Sequence, residues 1–187
     1  LVLASVERLS ASLRRSRVAL ETTTRRPHGT LIGPIIQREV EAFTEQASND
    51  DLCYLLNLDP AAAVTGRAPE VYQCLIEAVI EGFTAWVDKV SPPGLGDGRV
   101  ASITLKSEPD SQAVEVLFKF LLPDNSSAET YAEAMESLAG AGAKLFIFAE
   151  QLTTALGGVL VRQVHNGALR ITLTLTKHIY GGLGFRG

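Results

Sequence analysis

The chain has only two cysteines among its 187 residues, no excess of basic charge, and no long apolar run. Cys53 and Cys74 sit inside apolar stretches, with neither the spacing of a metal site nor a secretory context. A disulfide framework and a zinc module are thereby excluded, and reduced, buried thiols in a cytosol-like compartment are expected. The formal net charge of -4 gives no electrostatic reason to expect nucleic acid or an anionic membrane as partner. Arg14, Arg15, Arg17, Arg25 and Arg26 do gather, but no aromatic platform accompanies them, and a solvated helix face accounts for them. The opening LVLASVERL meets charge at Glu7 and Arg8, too soon for a signal peptide or a membrane span. Ser-His-Asp order, phosphate loops, internal repeats and low-complexity tracts are also missing, which leaves hydrolase and metalloenzyme readings without support.

What is present describes an ordinary globular chain, 46% hydrophobic and 20% charged, long enough for one domain with an added helical piece. Val2, Val6, Leu9, Leu13 and Leu20 form a narrow apolar seam, the pattern of a helix that packs on a partner helix. Arg26-Pro27-His28-Gly29 breaks it, and Pro34 opens a second helix with Ile36, Val40 and Phe43 on one face. LCYLLNL, Leu52 to Leu58, reads as a strand, and Pro60 to Pro69 as a loop. Glu70 to Val90 is the strongest helix signal, with Phe83 and Trp86 as packing residues. Strands are expected at Val100 to Ser107 and Val114 to Leu121, helices over 128–139 and 143–155, then a closing hairpin. Asn166-Gly167 supplies the positive φ angles of its tight turn, and Gly157-Gly158 the left-handed helix stop before it. Two helices followed by β-α-β-β-α-α-β-β predict an α+β sandwich, a sheet with helices over one face.

That order, with Glu77-Ala78-Val79-Ile80-Glu81 in its central helix and Leu156-Gly157-Gly158 before the last hairpin, resembles the ATP-binding lobe of sensor histidine kinases. This is the GHKL or Bergerat fold, and the preceding helices resemble the dimerisation helix and connector of kinases that pair with LuxR-type regulators. The resemblance implies a Bergerat-type sandwich with a five-stranded mixed sheet over 51–180, a dimerisation and docking hairpin over 1–50, and a tail over 181–187. On dimerisation the hairpin would form a four-helix bundle. Its implied partners are a second copy of the chain and a response-regulator receiver domain, in the cytoplasm.

The same resemblance locates a nucleotide site and shows it damaged. The family's helix motif is Glu-Ala-x-x-Asn, whose Asn binds the magnesium that bridges the ATP phosphates; here Glu81 stands in that place, four residues after Glu77. Thr84-Ala85-Trp86 replaces the following Lys-His pair. The Asp-x-Gly-x-Gly box becomes Asp124-Asn125-Ser126-Ser127, which keeps the adenine-reading Asp124 and loses both glycines. In the second glycine turn, Gly142 remains while Lys144 occupies a glycine position, and Glu150-Gln151 stands for the family's Glu-Arg pair. No cofactor is therefore expected, with ATP and magnesium bound only if this degenerate site still holds them. His28 is similar to a His-x-x-x-x-Pro phosphoacceptor, but Pro34 is one residue too far and Pro27 and Gly29 flank the imidazole. The expected function is a signalling module acting through protein contacts, a pseudokinase or regulatory transmitter. The alternatives are a histidine phosphotransferase through His28 and a weak ATP-binding kinase fragment.

Overall fold

Alternation decides the sheet. In AVEVLFKFL every second residue, Val114, Val116, Phe118 and Phe120, is buried, while Glu115 and Leu121 are exposed and Leu117 and Lys119 half-buried. That period of two is the signature of a strand covered on one face. The computed structural model describes residues 29–46, 52–92, 98–122 and 141–178. Its elements are β1 (Thr30–Leu31), α1 (Gly33–Gln46), β2 (Leu52–Leu58), β3 (Ala63–Val64), α2 (Pro69–Val90), β4 (Arg99–Lys106), β5 (Ala113–Leu121), α3 (Ala141–Ala155), β6 (Val159–His165) and β7 (Ala168–Thr176).

The main sheet has the order β2-β4-β5-β7-β6. β2 runs parallel to β4 and every other pairing is antiparallel, so the sheet is mixed and five-stranded as expected. Its inner face, including Ile103, Phe118, Ile171 and Leu173, shares one hydrophobic core with Ile76, Ile80, Phe83 and Val87 of α2. The rings of Phe83 and Phe118 lie 5.8 Å apart in a tilted pair. Each such side chain, fully buried, contributes roughly 1.5–3 kcal/mol. The end of α2 is fixed to the start of β4 by buried Arg99, whose Nη1 donates to Asp88 Oδ1 at 2.6 Å and to the Ser91 carbonyl at 2.7 Å.

Several expectations need correcting. The helix assigned to the docking hairpin, α1, is packed into the lobe: Ile32, Ile35, Ile36 and Val40 belong to the same core as α2 and the sheet. A stripe of apolar side chains requires burial, and here the lobe itself supplies the cover. The stretch from Pro60 to Pro69 is not all loop, because β3 within it pairs with β1 in a separate two-stranded sheet. Cys53 is exposed, not buried, since alternate side chains of the outermost strand β2 point to the uncovered face. His178, just past the last strand, is half-buried and packed against Gly29. The helices expected over 2–24 and 128–139 and the tail 181–187 lie outside the described residues.

The two glycine signals hold, each for its own reason. Asn166 and Gly167 both have positive φ, 49° and 69°, the conformation of a two-residue hairpin turn. Gly157 has φ 76° at the end of α3, whereas a Cβ on Gly158 would lie 2.2 Å from the Thr174 carbonyl oxygen of β7. Gly157 thus relieves backbone strain and Gly158 makes room for a strand. Gly157→Ala is expected to cost about 1–2 kcal/mol, the price of a left-handed residue with a side chain. Gly158→Ala should cost more, above about 2 kcal/mol, because the obstacle is backbone in a paired strand. Urea unfolding of both variants tests this ranking, and equal losses would contradict it.

Candidate functional site

Between its end turns α2 is buried except for a half-buried stripe of Gln73, Glu77, Glu81, Ala85 and Asp88. Positions four apart stack on one helix face, so Glu77 and Glu81 share a ridge. The neighbouring helix α1 brings a third carboxylate close. Glu39 is buried to 9% exposure, accepts a hydrogen bond from Arg38 Nε at 3.2 Å, and feels the charge of Glu77. Burial is the largest influence and raises its pKa above the ordinary carboxylate value; Arg38 opposes the shift and Glu77 adds to it.

Thr84, one of the residues replacing the family's Lys-His pair, is turned inward. Its hydroxyl shares a 2.7 Å hydrogen bond with the Tyr54 hydroxyl of β2. Trp86 and Phe83 are core residues, as expected. Tyr72 near the start of α2 donates to the Thr65 carbonyl at 2.7 Å, and Thr65 N–H donates to the Thr176 carbonyl of β7. Burial raises the Tyr72 pKa, so the phenol stays protonated and serves as a structural donor.

The contact between α2 and α3 was not foreseen. Gly82 has no side chain, and the Phe146 ring of α3 fills the space: its atoms would lie 3.0–3.3 Å from a Cβ there. The same ring meets Trp86 edge-on at 6.2 Å and carries the Arg162 guanidinium of β6 at 4.8 Å from its centroid. Arg162 in turn pairs with Glu150 at 2.9 Å. Glu150, read from the sequence as half of the Glu-Arg motif, here ties α3 to β6. A glycine in a helix interior costs about 1 kcal/mol against alanine, and that local penalty was the available signal of a close approach.

The other expected site residues divide simply. Lys144 is exposed in the first turn of α3. Gly142 was expected in the glycine turn and instead lies within α3, because the helix begins at Ala141. Asp124 and His28 lie outside the described residues. Among the described residues no group of three or more His, Cys, Asp or Glu could hold a metal ion. No helix among them is long and apolar enough to cross a membrane.

With this geometry in view, the fold can be placed. It is shared by the histidine kinase AdeS of Acinetobacter baumannii, with a TM-score of 0.57, 15% identity, and coverage of 95% of this chain and 81% of that one. The catalytic domain of the histidine kinase ThkA gives 0.57 at 12% identity, covering 80% of this chain and 95% of that one. Full-length ShkA, solved in complex with AMPPNP, gives 0.52 at 16% identity over 80% of this chain and 31% of that one. No family model and no curated protein matches the sequence. The chain therefore has the Bergerat-type fold of histidine-kinase catalytic domains.

The raised pKa of Glu39 has a definite consequence for stability. Its folded-state pKa lies above the unfolded value, so the folded chain holds a proton that the unfolded chain releases. The contribution is present below the unfolded pKa and lost as pH rises through the folded one. Glu39→Gln should therefore raise the melting temperature at pH 7, and the gain should vanish below about pH 4. A gain independent of pH would rule out this cause.

Proposed function

We propose that this chain is a signalling module of the histidine-kinase type that works through protein contacts and does not use ATP. The observation that carries the reading is the acidic ridge. Glu81 stands where the resemblance places a magnesium-binding Asn, with Glu77 one turn away and the Glu39 carboxyl close enough to feel Glu77. A carboxylate can ligate magnesium, but clustered carboxylates repel a triphosphate before any metal is shared. The residues present do not fit magnesium-ATP. Lys144, where the resemblance places a glycine, is exposed in the first turn of α3, and Thr84 is engaged with Tyr54.

Titration calorimetry with magnesium-ATP should show no binding heat at millimolar ligand. Micromolar affinity would overturn the proposal and restore the kinase reading. ShkA, whose structure contains AMPPNP, provides the positive control.

The partners follow as part of the same proposal: a second copy of the chain and a response-regulator receiver domain. With α1 committed to the lobe, homodimerisation by helices falls to the seam Val6, Leu9, Leu13 and Leu20. Charge in such a seam is costly when the seam is buried and nearly neutral when it is solvated. Replacing Leu9 and Leu13 together by Glu should lower the mass measured by light scattering. An unchanged mass would exclude the seam as an interface.

A further inference from the structure

α2 packs on the inner face of the main sheet, and the outer face carries an unusual mixture of side chains. Val100 at 47%, Leu121 at 62% and Val161 at 46% stand exposed there, at positions that alternate with core-facing residues. Exposed apolar side chains gathered on one face mark a surface that meets another molecule. They do not by themselves say which molecule.

The charges among them do. Lys119 of β5 is directly opposite Arg170 of β7. At one end of that ladder the Leu122 N–H donates to the Gly167 carbonyl, and at the other the Lys177 N–H donates to the Gln112 carbonyl. Bonded pairs alternate between these two, which leaves Lys119 and Arg170 as a non-hydrogen-bonded pair with Cα atoms about 4.5 Å apart. Like charges so placed destabilise a sheet. Ser102 and Gln163 continue the row on either side, and neither this row nor the rows beside it hold a carboxylate. Glu115, two rows away, is opposite Lys106. Arg170 is half-buried, and its Nε is sealed from water without a hydrogen-bond partner. An N–H left in that state is costly. An anion from outside the chain completes the row.

We infer that this face docks an acidic protein, one that presents carboxylates between apolar side chains. Two opposed cations set the sign of the partner, on a chain whose own net charge is -4. Their neighbours set its class. Rows on one face of a strand are about 6.8 Å apart, so Val100 and Leu121 flank the cations on one side. Leu117 and Val161 flank them on the other. A small anion on this open face would keep its water, whereas a protein that covers the apolar flanks excludes water and strengthens the charge pairing. Nucleic acid would find no Phe, Tyr or Trp in these rows on which to stack a base.

This inference deepens the proposed function and rests on its reading that the chain works through protein contacts. The two fail separately, because the test uses no nucleotide and the calorimetry uses no peptide. The probes are a fluorescein-labelled peptide of Leu-Glu-Glu-Leu repeats and the same peptide with glutamine for glutamate, titrated with the full chain by anisotropy. The glutamate peptide should bind about ten-fold more tightly, and Lys119→Gln with Arg170→Gln should remove that advantage. Leu121→Ser with Val161→Ser should weaken binding several-fold, while Lys106→Gln, opposite Glu115, should leave it nearly unchanged. Lys119→Glu gives Arg170 a carboxylate from the chain itself, so it should abolish binding and raise the melting temperature of the free protein. Equal binding of the two peptides, no binding, or a lower melting temperature for Lys119→Glu would overturn the inference. So would displacement of the peptide by polyuridine RNA or by phosphatidylserine vesicles through the same two cations, since the face would then serve another class of partner.

Discussion

The missing side chain of Gly82 sets how closely α3 can lie against α2 on the helical side of the sheet. Because the Phe146 ring occupies that space, α3 lies close to α2, Trp86 packs edge-on against the same ring, and Arg162 can cover it from β6. The Arg162 charge is then within reach of Glu150, so a packing contact and an ion pair reinforce each other. A cation over an aromatic ring contributes about 0.5–1 kcal/mol at a partly exposed site, which is small beside the burial of Phe146 itself. Packing therefore decides the geometry, and the charges follow it.

The sequence disclosed the parts of this fold that rest on local periodicity. β4, β5 and β7 alternate cleanly because one face of each is covered, and Asn166-Gly167 and Gly157-Gly158 mark turns that few other residues can make. What stayed hidden depends on who lies next to whom. β1 and β3 are two residues long and pair across more than thirty positions, so no repeat announces them. The stripe of α1 declared that a face is buried without saying whether a lobe or a second chain buries it. Cys53 belongs to a strand whose composition suits a central position, while its place in the sheet is at the edge.

The candidate site was legible as chemistry and less so as geometry. Glu77 and Glu81 were found from their spacing, and their shared ridge followed from helical geometry alone. Glu39 was not found, because its burial depends on α1 packing beside α2. Glu150 stands where the resemblance places a Glu, and its carboxylate pairs with Arg162 across the α3–β6 contact. The scaffold residues, the glycine stop and the hairpin turn are under constraints that persist whether or not nucleotide binds. Those on the acidic ridge are under no such constraint of the backbone, so the function proposed above asks for no change of the scaffold.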